Sequence, residues 1–140
     1  MSLCVLDASF TFQWLFEDEA SAEGDAALAS IRLGGAAVPA LWPVEITNVL
    51  GLAERRGRLT PDGVAGALAL LRPLPLDVAA PPSLAEAVGV LDLMRQHRLT
   101  AYDATYLDLA IRLKLPLATK DRELLAAAPL VGVPLFAPSL

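Results

Sequence analysis

Short apolar runs alternate along the chain with longer stretches in which apolar residues recur every three or four positions. The runs have the length of buried strands, and the stretches have the spacing of helices that bury one face. The predicted strands are residues 3–6, 35–39, 74–78, 115–118 and 133–136, the last of them at an edge. Because strands that alternate with helices favour a mainly parallel sheet covered on both faces, the pattern predicts an α/β fold with four or five strands.

Capping and breaking residues mark the ends of the helices between these strands. Ser9 is a plausible N-cap, Ser83 with Glu86 forms a capping-box pattern, and Pro43 is allowed at the first position of a helix. Pro73 and Pro129 are expected to stop the helices that precede them. The predicted helices span about residues 9–15, 19–33, 43–57, 60–72, 83–97, 103–113 and 121–129.

The apolar content is high for a chain of this size. With 140 residues, 55% of them hydrophobic, the chain is expected to form a single domain over residues 1–140. No uninterrupted apolar stretch is long enough for a membrane span, and the N-terminus lacks the basic start of a secretory signal, so we expect a cytoplasmic protein. The lone Cys4 is expected to be a small buried hydrophobe. The excess of apolar side chains predicts a homodimer, a partner protein or both.

The net charge of −5 argues against simple electrostatic capture of nucleic acid. If four of the 16 acids belong to a metal site, however, 12 acids remain against 11 Lys and Arg residues. The rest of the surface is then close to neutral, and bound cations would reverse the sign of the field inside the cleft. The acidity therefore does not exclude a phosphate substrate.

Four acidic residues occupy the positions where an open parallel sheet binds ligands. Asp7 and Asp121 follow predicted strands directly, and Glu45 and Asp103 lie in the first turns of helices that are expected to start at the same sheet edge. Clustered carboxylates repel one another unless a cation holds them, and hard oxygen ligands suit Mg²⁺ or Mn²⁺. No Cys or His lies near these positions, which argues against zinc. Such a site suits metal-assisted hydrolysis of a phosphodiester.

The segments around these acids form an ordered set of motifs. They are Val5-Leu6-Asp7-Ala8-Ser9, Trp14-Leu15, Glu45-Ile46-Thr47-Asn48-Val49-Leu50, Tyr102-Asp103-Ala104-Thr105-Tyr106-Leu107 and Leu117-Ala118-Thr119-Lys120-Asp121. The set resembles the successive motifs of PIN-domain ribonucleases, specifically VapC toxins of type II toxin–antitoxin systems. The resemblance spans nearly the whole chain, and it implies a three-layer α/β/α sandwich, a homodimer, an RNA substrate and an antitoxin that occupies the same groove.

The resemblance also implies roles for single residues. Asp7, Asp103 and Asp121 would hold one or more metal ions, with Glu45 as a further ligand or as the group that orients the attacking water. The residues implied to support these ligands are Thr119, Asn48 and Ser9. Lys120 and Arg122 flank Asp121 and are the most plausible cations for positioning phosphate.

One position departs from the pattern of the resembled family. Position 13 is often basic in similar sequences and is Gln13 here, which leaves open how that edge meets RNA. Asp108 adds an acid more than one helical turn beyond Asp103, and we expect it to face solvent.

Each acid also has an ordinary structural explanation. Asp103, Asp121 and Glu45 can stabilise helix N-termini through capping or through the helix dipole. Asp7 is harder to explain in this way, because an acid that ends a buried strand is costly unless it is paired. The expected structural residues elsewhere are His97 at a helix end, Trp14 and Trp42 in the core or an interface, and Arg55, Arg56 and Arg58 on a solvated face.

Three other classes of protein share parts of the pattern. A receiver domain or an aspartyl phosphatase also has an Asp after its first strand, but the phosphatase needs a second acid where this chain has Ser9. The receiver needs a pair of acids before the first strand, which residues 1–6 do not supply. A catalytically silent domain whose acidic groove binds a basic peptide, and a DNA-directed nuclease of the same fold, remain alternatives.

Overall fold

Four short parallel strands form the centre of the computed structural model, which describes residues 2–138. The strands are β1 (Val5–Leu6), β2 (Ala36–Val38), β3 (Leu76–Val78) and β4 (Leu117–Ala118). They pair in the order β3-β2-β1-β4. The predicted α/β fold with a parallel sheet is therefore confirmed. The ends of the predicted 1–140 domain, residues 1 and 139–140, lie outside the described residues.

The predicted fifth strand over residues 133–136 is reduced to a single bridge. Leu135 pairs with Leu117 in parallel, and the N–H of Phe136 donates to the Leu117 carbonyl at 2.9 Å. Pro134 has no N–H to donate to a strand ladder, so the pairing cannot extend along this segment. The sheet has four strands, the lower of the two predicted numbers.

Seven α-helices flank the sheet within the described residues, as the sequence predicts. They are α1 (Ala8–Thr11), α2 (Ala22–Gly34), α3 (Leu41–Arg55), α4 (Pro61–Leu71), α5 (Ala87–His97), α6 (Ala101–Leu113) and α7 (Arg122–Leu130). In the described part of the chain, no helix combines the length and the apolar character needed to cross a membrane.

Several helix boundaries differ from the prediction. α3 begins at Leu41, so Pro43 is its third residue rather than its first, and this is tolerated because the first N–H groups of a helix have no partner in the helix. α7 runs through Pro129 and ends one residue later, so this proline does not stop it. The Ser83 and Glu86 capping bonds form at 3.1 and 3.2 Å, yet the regular helix begins only at Ala87.

The start of α2 also lies later than predicted. Glu17–Glu19 form a separate 3-10 turn, and α2 begins at Ala22. Ser21 is its N-cap, since its hydroxyl accepts from the Gly24 N–H at 2.9 Å. The serine side chain satisfies one of the unpaired N–H groups at the helix start, and this fixes the boundary there.

The strands β1, β2 and β4 are buried, so both faces of this part of the sheet are covered, whereas the edge strand β3 is partly exposed. Cys4, Val5 and Leu6 are wholly buried, as are Leu117 and Leu124. Cys4 is unpaired, and burial raises the pKa of its thiol to about 12. The prediction that Cys4 is a buried hydrophobe is confirmed.

We expect the Cys4 thiol to be unreactive in the native protein, because only the thiolate is a nucleophile and burial disfavours it. A colorimetric thiol reagent at pH 8 should label less than a tenth of the protein until denaturant is added. Complete labelling within minutes in native buffer would contradict the buried placement.

Candidate metal centre

The parallel register of β1 and β4 places their carboxyl ends side by side. Leu6 pairs with Ala118, and the Asp7 N–H donates to the Ala118 carbonyl at 2.9 Å. Asp7 and Thr119 therefore meet at the same edge of the sheet. The Thr119 hydroxyl donates to Asp7 Oδ2 at 2.7 Å, and the Ser9 hydroxyl donates to the same oxygen.

Asp7 is a buried carboxylate with no basic partner among residues 2–138. Its exposed fraction is 4%, and burial raises its pKa, an effect that the Ser9 and Thr119 hydrogen bonds oppose. The charge of Asp121 raises the pKa of Asp7 further. In the described part of the chain, the ion pairs involve only Arg58, Arg95 and Arg112, none of them with Asp7. The surrounding protein thus leaves the Asp7 charge uncompensated.

Ser9 and Thr119 also fix the loop between β4 and α7. The Lys120 N–H donates to the Ser9 hydroxyl at 2.9 Å, and the Asp121 N–H donates to the Thr119 hydroxyl at 3.0 Å. Each hydroxyl therefore accepts from this loop while it donates to Asp7. The pair links the end of β1 to the start of α7 and sets where Asp121 lies relative to Asp7.

Thr119→Val is expected to lower the free energy of unfolding by about 1–3 kcal/mol, because it leaves the Asp121 N–H without its hydroxyl partner and the buried Asp7 oxygen with only the Ser9 hydroxyl. Thr119→Ser keeps that hydroxyl, so its free energy of unfolding should fall much less. Urea unfolding of both variants measures the difference. Equal stability of Thr119→Val and wild type would show that these hydrogen bonds contribute nothing.

Glu45 reaches the same region from the second turn of α3, because this helix begins at Leu41 and not at Pro43, so the predicted first-turn position is wrong. Glu45 is half-buried, and the hydroxyl of the wholly buried Tyr106 donates to its Oε1 at 2.8 Å. Burial raises the pKa of Glu45, and the charges of Asp7 and Asp103 raise it further. The hydrogen bond from Tyr106 has the opposite effect on this pKa. Tyr106 fixes the direction of this carboxylate, a role that its place in the motif around Asp103 did not indicate. A buried tyrosine hydroxyl usually needs a partner, which was the available signal.

Asp103 is the third residue of α6, and its side chain does not cap the helix. Thr100 is the N-cap, and its hydroxyl accepts from the Asp103 N–H at 3.2 Å. Burial raises the pKa of Asp103 to about 6, and the charges of Asp121 and Asp7 contribute to the same shift. Capping is therefore not the explanation for this acid.

Asp121 does cap its helix, as its ordinary explanation predicts. Its Oδ2 accepts from the Leu124 N–H at 3.0 Å, while Oδ1 makes no hydrogen bond within the described residues. The capping bond holds the side chain in place at the sheet edge and leaves one carboxylate oxygen free for a cation. Capping and metal binding are therefore compatible at this position.

The structure brings the four acids into one electrostatic group. The charges of Asp7, Asp103 and Asp121 act on one another, and the charges of Asp7 and Asp103 act on Glu45. Among the described residues, however, no three acidic, histidine or cysteine side chains lie close enough to hold one ion together. Mg²⁺ usually keeps several waters and takes only one or two carboxylates, so this oxygen donor set fits Mg²⁺ or Mn²⁺ held partly through water or substrate phosphate.

The remaining predicted site residues lie around this group. Asn48 is exposed and lines a cavity of about 470 cubic ångströms together with Glu45 and Asp103. Lys120 and Arg122 are exposed on either side of Asp121, and neither forms an ion pair in the part of the chain that the structure describes. Both are accessible to a phosphate that approaches Asp121.

Gln13 does not lie on a substrate-facing edge. It is buried, its amide nitrogen donates to the Phe10 carbonyl at 2.9 Å, and the Ser21 hydroxyl donates to its Oε1 at 2.6 Å. A Cβ at Gly24 would overlap the Gln13 side chain, so α2 can approach it only with a glycine there. Gln13 joins α1 and its following turn to the start of α2, and its role is structural.

Asp108 differs from expectation, whereas Arg58 is exposed as expected. Asp108 forms an ion pair with Arg112 at 2.9 Å and its side chain is only 15% exposed, so it does not face solvent. Arg58 is paired with Asp18 and Glu19 and lies over the Phe16 ring at 3.6 Å. Its neighbours Arg55 and Arg56 are also exposed, and neither forms an ion pair within the described residues.

The tryptophans and the histidine are structural, as expected. Trp42 is buried and Trp14 donates from Nε1 to the Gly24 carbonyl at 2.8 Å. His97 lies in the last turn of α5, and its Nε2 is buried with no hydrogen-bond partner among the described residues. None of the three belongs to the acidic group.

Comparison with known proteins agrees with this geometry. The family model of the PIN domain matches residues 4–129. The crystal structure of PAE2754 from Pyrobaculum aerophilum superposes with a TM-score of 0.67 at 31% sequence identity, over 91% of this chain and 87% of that one. No curated protein matches the chain significantly. The chain belongs to the PIN domain family, whose members have a nuclease fold and are generally metal-dependent.

Proposed function

We propose that this protein is a Mg²⁺-dependent endoribonuclease, with Mn²⁺ as a substitute, and that it acts as the VapC-type toxin of a toxin–antitoxin pair. The observation that carries the proposal is the uncompensated acidic group at the ends of β1 and β4. Burial and mutual repulsion raise the pKa of Asp7, Glu45 and Asp103, and within the described residues none of them has a basic partner. Such a group is costly to keep unless it serves a cation.

The residues divide the work of phosphodiester hydrolysis. Asp7, Asp103 and Asp121 would hold the cation, one or two of them directly and the rest through water, and the bound cation would neutralise the scissile phosphate and make water a better nucleophile. Glu45, held by Tyr106, orients the attacking water and accepts its proton; its raised pKa makes it a stronger base than an ordinary glutamate. Ser9 and Thr119 keep Asp7 oriented toward the cleft.

Lys120 and Arg122 hold the RNA backbone beside the acids. Both are exposed next to Asp121, where a phosphate bound at the metal site would extend along the start of α7. Contacts from lysine and arginine to phosphate position a nucleic acid without reading its sequence. They also offset the repulsion that the overall charge of −5 exerts on RNA.

The proposal includes a homodimer, a cognate antitoxin and a cytoplasmic location. Several large apolar side chains remain exposed in the folded chain, which is typical of protein contact surfaces. Away from the acidic group, the most exposed of these are Leu33, Leu84, Leu130 and Val88. The antitoxin would occupy the acidic groove and exclude RNA from it.

Cleavage of matched RNA and DNA pools tests the proposed reaction. Purified protein free of antitoxin is incubated with single-stranded pools of the same sequences in Mg²⁺, in Mn²⁺ and in EDTA. RNA should be cut in either metal and not in EDTA, and DNA should be left intact. Equal cleavage of DNA would make the protein a nuclease without RNA specificity. No cleavage of either pool would favour a protein-binding domain with an acidic groove.

The toxin role has a separate test in cells. Induced expression of wild type should arrest growth of a bacterial host, whereas Asp7→Asn at the same protein level should not. Normal growth with wild type, in a host shown to contain the active nuclease, would contradict the toxin role and leave the nuclease assignment in place.

A further inference from the structure

One aromatic side chain lies exposed beside the acidic group. Tyr102 is the second residue of α6, directly before Asp103, and 67% of it is accessible to solvent. It lines the cavity of about 470 cubic ångströms that Glu45 and Asp103 also line. On the α3 side of this cavity lies Val44, which is 69% exposed. An aromatic ring and an aliphatic side chain therefore line the same cavity as two carboxylates.

We infer that Tyr102 and Val44 form a subsite that receives one unpaired nucleobase of the RNA next to the scissile phosphate. The inference rests on the proposed ribonuclease function and adds to it the residues that hold the flanking nucleotide. The cavity volume falls within the range of roughly 300–1,000 cubic ångströms for small-molecule sites. An aromatic face binds any base by stacking, which is how proteins commonly hold single-stranded RNA.

The charges around the cavity favour a base over a phosphate as the occupant. Glu45 and Asp103 would repel a phosphate that entered without a cation, whereas a base carries no net charge. Asn48 also lines the cavity, and its amide makes no hydrogen bond within the described residues. An amide offers both a donor and an acceptor, and so it can pair with the edge of a base.

The position of the cavity also favours a nucleotide over a protein side chain. A strand whose phosphate lies at Asp103 carries a base on the neighbouring sugar, and Tyr102 is the residue adjacent to Asp103 on α6. The other large aromatic residues are not available for stacking on RNA at this site. Trp42 is buried, and Trp14 packs edge-on against Phe10 with its indole N–H bonded to Gly24.

Steady-state cleavage by wild type, Tyr102→Ala and Tyr102→Phe tests the inference on a single-stranded RNA oligonucleotide that wild type cuts. Tyr102→Ala should raise KM by about tenfold to a hundredfold with little change in kcat, because stacking contributes to binding and not to the chemical step. Tyr102→Phe keeps the ring and should stay within about twofold of wild type. An unchanged KM for Tyr102→Ala would overturn the inference.

Abasic substrates distinguish stacking from a structural effect of the variant. Removing the base on each side of the cleaved bond in turn should raise KM for wild type at one of the two positions. The same abasic substrate should raise the KM of Tyr102→Ala only slightly, because this variant has already lost the contact with the base. The variant and the abasic site each raise KM by some factor. If the combined factor equals the product of the two at both positions, the two changes are independent and the base does not lie on Tyr102.

Two further measurements separate the possible failures. Fluorescence anisotropy of a labelled single-stranded RNA measures binding without cleavage, so equal binding by wild type and Tyr102→Ala overturns the inference even if no RNA is cut. A Tyr102→Ala protein that changes its sedimenting mass but not its RNA binding would assign this surface to a protein contact, which also overturns it. Failure of wild type to cut any RNA would count against the proposed function instead.

Discussion

Replacing Asp7 by asparagine is expected to abolish metal-dependent cleavage while the protein stays folded. Loss of groups that only support metal ligands commonly costs 10- to 100-fold, so loss of a ligand charge should lower kcat/KM by at least about a hundredfold. Asparagine keeps the size of the side chain and an oxygen that accepts from the Ser9 and Thr119 hydroxyls. Cleavage of RNA under single-turnover conditions in Mg²⁺ measures the loss.

The stability of the same variant provides an independent check. Burial raises the pKa of Asp7, so its ionised form is less favourable in the folded than in the unfolded state, and this cost grows as the pH rises through the folded pKa. In EDTA at neutral pH, the melting temperature of Asp7→Asn should therefore equal or exceed that of wild type.

Asp108→Asn is the matched control for this experiment. It makes the same chemical change on α6, at an acid paired with Arg112 and outside the acidic group. It should cleave RNA at close to the wild-type rate. Wild-type activity in Asp7→Asn would contradict the assignment of the site, and a similar loss in Asp108→Asn would show that the assay reports general damage.

Mg²⁺ should stabilise wild type against heat much more than it stabilises Asp103→Asn. A ligand that binds only the folded state at a hundred times its dissociation constant adds about 2.7 kcal/mol, which for a domain of this size corresponds to a shift on the order of 10 °C. The cation also relieves the repulsion that raises the pKa of Asp103 to about 6. Differential scanning fluorimetry across a Mg²⁺ titration measures both proteins.

The control for this prediction is the metal-free melting temperature of each protein. Asp103→Asn removes a charge that Asp121 and Asp7 disfavour, so in EDTA it should be at least as stable as wild type. The predicted difference therefore appears only when Mg²⁺ is added. Equal Mg²⁺ shifts in the two proteins would mean that Asp103 does not share the site.

The parallel sheet and the acids at its edge could be predicted because both depend on local pattern. Short apolar runs between helices imply parallel strands, and the residues that follow such strands share one edge. Asp7 and Asp121 were placed correctly by that argument alone. Thr60 illustrates the same point for helices, because the helix predicted from residue 60 is capped by its hydroxyl, whereas α6 begins after Thr100 and not at residue 103 as predicted.

Contacts between distant parts of the chain could not be predicted in this way. The Tyr106 bond to Glu45 joins residues 61 positions apart, and the Thr119 bond to Asp7 joins residues 112 apart. Which side chains meet across such distances depends on the packing of whole helices, and not on periodicity. For the same reason, the burial of Gln13 against the start of α2 could not be predicted.

Direct titration with Mn²⁺, followed by the electron paramagnetic resonance signal of the free ion, tests the shared metal site most directly. The proteins to compare are wild type, Asp7→Asn, Asp103→Asn, Asp121→Asn and the Asp108→Asn control. Each of the first three substitutions should weaken Mn²⁺ binding by about tenfold or more, while the control binds like wild type. Wild-type binding in any two of those three variants would contradict the central claim that these carboxylates act on the same bound metal.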